Sequence, residues 1–235
     1  MARKGRRDLP PSLAAISEAV VKVTGSYWED GYSLLEDLVP SEVAHAFLAG
    51  LKADLGPGAI KLSNVDNYPN LLHRPAFEIY GHHYKPMLYF LWGLTPIVSG
   101  IVGRDLLPTY DYFRLYREGD CCRVHFDRHS CEHSLSLTLD YSDGVPWALE
   151  LGKTRQEPSA RVEEDFGDEA YTSFAMKVGD AVLYQGVHHR HGRTAPNPNA
   201  WSAHLFLHWV DRDGPYRDHA FDGQIKPAPV GFSFI

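Results

Sequence analysis

Cysteine is scarce in this chain of 235 residues, which contains only Cys121, Cys122 and Cys131. An odd number of cysteines without a Cys-x-x-Cys pair argues against a disulfide framework and against a structural zinc site. A recognisable secretory signal is lacking too, because the basic start runs into Leu9-Pro10-Pro11 and a short apolar run broken by Glu18. We therefore expect a protein of a reducing compartment, the cytoplasm.

Basic residues are fewer than acidic residues. The chain has 23 Lys and Arg against 30 Asp and Glu, a formal net charge of −7. This balance disfavours a protein that coats nucleic acid or an anionic membrane surface. The basic residues of segment 3–7 are a local exception, which we interpret as a solvated tail. We therefore expect neither a nucleic acid nor a membrane as partner.

Long apolar runs are few. Residues 86–103 form a stretch of 18 residues without a charge, at the lower edge of what spans a membrane. Gly93, Pro96 and Gly100 interrupt this stretch. We favour a buried pair of helices with a break near Pro96, and a membrane-associated segment is the alternative.

The remaining pattern divides the chain into a helical part and a strand-rich part. Helical spacing of apolar residues covers 12–23 and 41–54, the second segment opened by Ser41 as N-cap, and segment 56–85 has loop composition with one short strand. Strict alternation over 134–139 predicts a strand, and Tyr110, Tyr112, Arg114 and Tyr116 share one face of another. Further strands are expected at 147–152, 180–185 and 201–210.

This order of elements predicts a mainly β protein with flanking helices (α+β). The architecture we expect is a double-stranded β-helix, a jelly-roll or cupin-like barrel, with N-terminal helices packed outside. The length fits one domain over 1–235. Within it, 1–104 is expected to be a helical and loop support region, 105–215 the catalytic core, and 216–235 a C-terminal tail.

The tripeptide His125-Phe126-Asp127 carries the clearest chemical signal. On an extended segment its His and Asp point to the same side, so an imidazole nitrogen and a carboxylate oxygen can bind one divalent metal. About one His-x-Asp is expected by chance in a chain with this many His and Asp, so the tripeptide alone is weak. A third ligand would come from His188, His189 or His191, of which His189 and His191 share a face.

Several segments together resemble a known family. They are Tyr116, Gly119, His125-x-Asp127, and Gly179-Asp180-Ala181 leading to His191-Gly192. The set is similar to the Fe(II)- and 2-oxoglutarate-dependent dioxygenases, in particular the prolyl-4-hydroxylase-like branch with its small bacterial oxygenases. The resemblance covers about residues 105–215. Since that group commonly has His-Trp-Arg at the distal motif, it favours His191 over His189.

The resemblance implies a site and a chemistry. His125, Asp127 and His191 would be the catalytic metal ligands, with Fe(II), 2-oxoglutarate and O2 as cofactor and cosubstrates and ascorbate as an optional addition. The activity implied is hydroxylation of an unactivated C–H bond in a small molecule, an amino acid or a peptidyl side chain, with release of succinate and CO2. A carboxylate at Asp127 favours hydroxylation over halogenation.

The anchor for 2-oxoglutarate departs from the family pattern. Related enzymes often have a Lys or Arg on the strand after the distal His, but 201–210 has neither. We expect Tyr116 to donate a hydrogen bond and Arg114, on the same face, to supply the positive charge. His204 is the other candidate, and Arg193 ranks lower because it follows the metal ligand closely. Without a basic residue on that strand, a cupin-like metal protein that binds a ligand without redox turnover is the alternative function.

Overall fold

The computed structural model describes residues 21–56, 71–223, 229 and 231–233. Its helices are α1 (Tyr27–Asp30), α2 (Ser41–Leu55) and α3 (Met87–Val102), and 3-10 segments cover His129–Cys131 and Arg217–Gly223. Its strands are β1 (Lys22–Thr24), β2 (Tyr32–Glu36), β3 (Phe77–Tyr80), β4 (Leu106–Arg117), β5 (Cys122–His125), β6 (His133–Tyr141), β7 (Leu149–Gly152), β8 (Val162–Glu163), β9 (Tyr171–Phe174), β10 (Ala181–Tyr184), β11 (His191–Arg193) and β12 (Trp201–Asp211).

The strands form two antiparallel sheets. The larger sheet has the order β1-β2-β10-β6-β12-β4-β3, and the smaller has the order β8-β5-β11-β7-β9. Strands distant in sequence are therefore neighbours in space, as in a jelly roll. The expected jelly-roll barrel is confirmed, and the strands expected at 134–139, 147–152, 180–185 and 201–210 are all present with ends that differ by a few residues.

The alternation along β6 sorts its side chains between two environments. Leu135, Leu137 and Leu139 are fully buried in a core that also contains residues of α2 and α3. The helices therefore cover the outer face of the larger sheet, as expected. Ser134 and Ser136 point the other way, between the two sheets, so the barrel interior is polar where the outer layer is apolar.

Helix α3 is continuous through Pro96, so the expected break there is wrong. Proline has no N–H, so the Trp92 carbonyl has no hydrogen-bond donor at position 96. Trp92 and Pro96 both lie on the exposed side of the helix, where water can hydrate that carbonyl. The Thr95 hydroxyl donates to the Leu91 carbonyl at 2.7 Å and accepts from Trp209 Nε1 at 2.8 Å, which ties the helix to β12. No helix among the described residues is long and apolar enough to cross a membrane.

The two N-terminal helices have different outcomes. The helix expected at 41–54 is confirmed as α2, although Ser41 is its first residue and Pro40 occupies the N-cap position. Most of the helix expected at 12–23 lies outside the described residues, but its last part is wrong. Lys22–Thr24 is a strand that pairs antiparallel with β2, where Lys22 forms an ion pair with Glu36.

The core on the outer face of the larger sheet predicts a clear stability difference. Leu137→Ala removes a side chain with no exposure and leaves a cavity under the helices, so we expect a loss of about 2–5 kcal/mol in the free energy of unfolding. Tyr89→Ala, on the exposed side of α3, is the control and should change it by less than about 0.5 kcal/mol. Urea denaturation measures both, and equal losses would contradict this account.

Candidate metal centre

Three side chains that the sequence proposes as metal ligands lie together at one end of the barrel. His125 ends β5 and His191 begins β11, and the two residues are directly opposite each other in that antiparallel pair. Asp127 follows β5 by two residues. His125 Nε2 is 3.7 Å and His191 Nε2 is 3.4 Å from Asp127 Oδ1. One possible ligand atom from each residue lies within 4.8 Å of the others, a separation that a single ion can bridge.

Backbone carbonyls fix the orientation of both imidazoles. Nδ1 of His125 lies 2.8 Å from the Arg123 carbonyl, and Nδ1 of His191 lies 3.0 Å from the His189 carbonyl. A carbonyl only accepts, so each Nδ1 must carry the proton and donate it. Both Nε2 lone pairs are then free and directed at the space beside Asp127. This is the arrangement that metal-binding histidines adopt in proteins.

Asp127 depends on a close approach of the chain at Gly186. The Asp127 N–H donates to the Gly186 carbonyl at 2.9 Å. A Cβ at position 186 would overlap Asp127 Oδ2 and would lie 2.6 Å from Ser134 Oγ. Only glycine therefore leaves room for the carboxylate in its present position.

The cluster keeps its carboxylate ionised and shifts the pKa values of its two imidazoles in opposite directions. Burial and the neighbouring His191 lower the pKa of His125 to about 4. Burial raises the pKa of Asp127, but its contacts with His191 outweigh this and hold the pKa well below its usual range. Burial lowers the pKa of His191, and the attraction of Asp127 reverses this and raises it. The site therefore combines a carboxylate with an imidazole that stays neutral.

The two other histidines of the distal motif have separate partners. His189 Nδ1 lies 2.9 Å from the Gly152 carbonyl, and the His189 ring packs against Gly31 so closely that a side chain at position 31 would overlap it. His188 Nδ1 lies 3.2 Å from the Gln156 carbonyl. Of the two candidates that share a strand face, the structure brings His191 and not His189 to Asp127.

A cavity of about 580 Å³ opens beside the cluster. All three candidate ligands line it, and so do the polar residues that the sequence proposes for a cosubstrate, except His204. Arg114 and Tyr116 reach it from β4, and Arg193 reaches it from β11. The cavity is large enough for a small dicarboxylate and part of a second molecule.

The two buried guanidinium groups differ in their partners. Arg114 is in an ion pair with Glu78, with Nε 2.5 Å from Oε1, and donates to the Tyr116 hydroxyl at 2.9 Å. Arg193 is only 1% exposed, donates to the Trp147 carbonyl, and has no carboxylate partner among the described residues. Within the described residues, a carboxylate therefore compensates the positive charge of Arg114 but not that of Arg193.

His204 and Trp147 hold the Arg193 side chain away from the metal ligands. The Arg193 guanidinium lies 4.8 Å from the centre of the Trp147 ring, and its Nη2 is 3.4 Å from His204 Nδ1. Burial, then the charges of Arg193 and Arg114, keep the pKa of His204 well below its usual value. The neutral imidazole can accept from Arg193, so the crowding expected from the sequence position of Arg193 does not occur.

Several residues of the site have no role in the sequence prediction. Glu78, Trp147 and Gly186 come from three separate loops or strands, and no motif joins them to the ligands. Ser134 and His208 are different, because the alternation along β6 and β12 already assigns each to a face. In the sequence, a hydroxyl and an imidazole on the face opposite the leucines are the pattern that could have identified Ser134 and His208 as part of the site.

A second group of ionisable side chains lies elsewhere among the described residues. Glu132, His133 and Asp211 are close enough to share an ion. However, His133 Nδ1 is 2.6 Å from the Tyr27 hydroxyl, and His133 Nε2 is 3.1 Å from Asp211 Oδ1. Arg104 also pairs with Asp211. These groups satisfy one another and tie α1 to β12, so the cluster has a structural explanation.

No protein-family model matches the sequence, and no curated protein matches it. Solved structures do resemble it. A prolyl-4-hydroxylase from Pseudomonas putida has a TM-score of 0.56 and 16% identity, over 86% of this chain and 100% of that one. Two non-heme alpha-ketoglutarate-dependent enzymes of nogalamycin biosynthesis also match. The epimerase SnoN has a TM-score of 0.62 and 11% identity over 94% and 96% of the chains, and the carbocyclase SnoK has 0.61 and 15% over 88% and 92%.

These likenesses establish the fold. The chain has the jelly-roll fold found in structures of 2-oxoglutarate-dependent oxygenases, in agreement with the resemblance carried by the sequence motifs. The three proteins are named as a hydroxylase, an epimerase and a carbocyclase. One fold therefore supports several reactions, and the fold alone does not select among them.

Gly186 gives a test of the cluster that needs no substrate. In Gly186→Ala the new methyl group must displace the Asp127 carboxylate, so we expect Co²⁺ affinity, measured by calorimetry, to fall at least about tenfold. Gly93→Ala, where the added Cβ meets no atom within 4 Å, is the control. Thermal unfolding of both variants separates a local change from a global one. Unchanged Co²⁺ binding in a folded Gly186→Ala protein would contradict the assignment.

Proposed function

We propose that this protein is an Fe(II)- and 2-oxoglutarate-dependent oxygenase that hydroxylates an unactivated C–H bond. The observation that carries the proposal is the cluster of His125, Asp127 and His191 at the end of a jelly-roll barrel. The cavity beside this cluster is also lined by buried arginine side chains. Two neutral nitrogens and one carboxylate on one face are the donor set typical of non-heme Fe(II) oxygenases.

The donor set fits iron in charge as well as in arrangement. Both histidines present Nε2, and Asp127 presents Oδ1. A 2-oxo acid and O2 bound at Fe(II) would supply the oxidising chemistry, with succinate and CO2 as products. The three protein residues would hold the ion and leave its remaining positions for exchangeable ligands.

We assign the anchor of the 2-oxoglutarate distal carboxylate to Arg193, assisted by Tyr116. Arg193 is buried, lines the cavity and lacks a carboxylate partner in the described part of the chain, so a bound dicarboxylate would compensate its charge. Arg114 is already neutralised by Glu78, and its contact with the Tyr116 hydroxyl orients that group. This assignment differs from the order that the sequence suggests, in which Arg114 comes first.

The rest of the cavity supports an uncharged small molecule or side chain as substrate. Tyr80 and Tyr112 line it, and their hydroxyls have no hydrogen-bond partner among the described residues. Arg128 at the same wall is paired with Asp222 at 3.2 Å. Neutral phenols can donate to carbonyl, ether or hydroxyl oxygens, whereas Asp127 is the only acidic side chain among the described residues that line the cavity, and it already contacts Ser134 and His191.

Anaerobic addition of Fe(II) and 2-oxoglutarate to the protein tests the class. We expect a weak visible charge-transfer band, because a 2-oxo acid bound at Fe(II) would accept charge from the metal. Asp127→Ala should abolish both the band and uncoupled succinate formation. The matched control is Asp143→Ala, an exposed carboxylate that does not line the cavity. A metal protein without redox turnover would form no succinate with any substrate tried, and that outcome would favour the cupin-like alternative.

The anchor has its own test. Arg193→Met should weaken 2-oxoglutarate binding at least about tenfold, because the distal carboxylate loses a buried charged hydrogen bond. Pyruvate lacks that carboxylate, so its binding should be the same in the wild type and in the variant. Titration of the charge-transfer band gives both affinities. Equal weakening for the two acids would instead point to damage at the metal ligands.

A further inference from the structure

Sheet register brings Ser134 and His208 together behind Asp127. Ser134 on β6 and His208 on β12 are directly opposite each other in the antiparallel pair. Both residues are buried, and both point into the barrel interior. Ser134 is also within hydrogen-bond distance of the carboxylate, since its Oγ is 2.9 Å from Asp127 Oδ2.

The three polar groups form one chain of hydrogen bonds. Ser134 Oγ is 3.0 Å from His208 Nδ1 and 3.2 Å from the Cys131 carbonyl. The serine has a single proton, while the carboxylate and the carbonyl can only accept. The charged acceptor at the shorter distance is the stronger one, so the proton goes to Asp127 Oδ2.

This donation fixes the role of His208. With its proton committed to Asp127, Ser134 Oγ can only accept from His208, so His208 Nδ1 must carry a hydrogen and donate it. The opposite ring nitrogen, Nε2, then has a lone pair and no partner among the described residues. A buried acceptor without a partner is more common in proteins than a buried N–H without one. The His208 ring is held in place by stacking on Tyr110, with 4.6 Å between ring centres.

We propose that Ser134, oriented by His208, keeps Asp127 bound to the metal through one oxygen only. Oδ1 is the oxygen that faces His125 and His191, and Oδ2 is occupied by the serine proton. If Oδ2 were free, the carboxylate could rotate and bind through both oxygens. This inference rests on the proposed metal site and deepens it, since a second carboxylate oxygen would fill a position that the 2-oxo acid or O2 requires. Ser134 and His208 are thus positioning residues.

Ser136 provides a matched control on the same strand. It is fully buried on the same face, two residues further along the strand, and its hydroxyl has no hydrogen-bond partner in the described parts of the chain. Its cross-strand neighbours are Val182 and Phe206, where Ser134 has Tyr184 and His208. Ser136→Ala therefore makes the same chemical change as Ser134→Ala without touching the carboxylate.

The experiment counts the water molecules on bound Mn²⁺. The relaxation of water protons by Mn²⁺ depends on the number of exchangeable waters on the ion, and no substrate or 2-oxoglutarate is needed. With three protein donors the ion keeps three open positions, and a carboxylate bound through both oxygens leaves two. We expect the relaxivity per bound Mn²⁺ to fall by about a third in Ser134→Ala. Ser134→Thr, which keeps the hydroxyl, should have the relaxivity of the wild type, and so should Ser136→Ala.

His208→Phe tests the second link, because it keeps a ring against Tyr110 but removes the donor. We expect its relaxivity to lie between those of the wild type and Ser134→Ala. Wild-type relaxivity in a folded Ser134→Ala protein, or the same fall in Ser136→Ala, would overturn the proposal. Failure of the proposed function looks different. In that case 2-oxoglutarate would displace no water from Mn²⁺ in the wild type, while the difference between the two serine variants would persist.

Discussion

A carboxylate between two sheets of a barrel is unfavourable unless other groups replace the water that it loses, and the site is built around this constraint at Asp127. The Ser134 hydroxyl donates to Oδ2, Oδ1 and the two imidazoles surround the space for the proposed metal ion, and the backbone N–H of Asp127 donates to Gly186. Each of these partners comes from a different strand or loop. The jelly-roll topology brings those strands to one end of the barrel. The burial of the Asp127 carboxylate therefore depends on the fold as a whole.

The two faces of the larger sheet have different roles, one in stability and the other in the polar site. Its outer face carries leucines that pack under α2 and α3, and the area buried there stabilises the barrel. Its inner face carries serines, histidines, tyrosines and Arg114, which would destabilise an ordinary core. Because the helices supply apolar burial on the outside, the interior can remain polar and receive charged ligands. Stability and chemistry are thus separated by the period of two along each strand.

The sequence predicts most of the larger features because they depend on local periodicity. Alternation identifies β6, and the spacing of His125 and Asp127 identifies two candidate ligands. The choice between His189 and His191 depends on which face of β11 meets β5, and it is decided by tertiary pairing with His125. The continuity of α3 through Pro96 depends on which side of the helix faces water. The anchor that we propose depends on which arginine has an acidic partner, and Glu78 lies 36 residues before Arg114 on another strand. None of these three facts is local, so the sequence could not supply them.

The polar chain behind Asp127 bears on why one fold hosts several reactions. A hydroxylase, an epimerase and a carbocyclase share this jelly roll. Groups that fix the ligands, such as the carbonyls on both Nδ1 atoms and the hydroxyl on Asp127, act on the metal whatever the substrate is. Groups that line the wall of the cavity, such as Tyr80 and Tyr112, would contact the substrate of the proposed reaction. In this chain the two sets lie on different strands, since Arg123 is on β5 and Ser134 on β6, whereas Tyr80 is on β3 and Tyr112 on β4. Changes at the wall can therefore alter the reaction while the metal positions stay as they are.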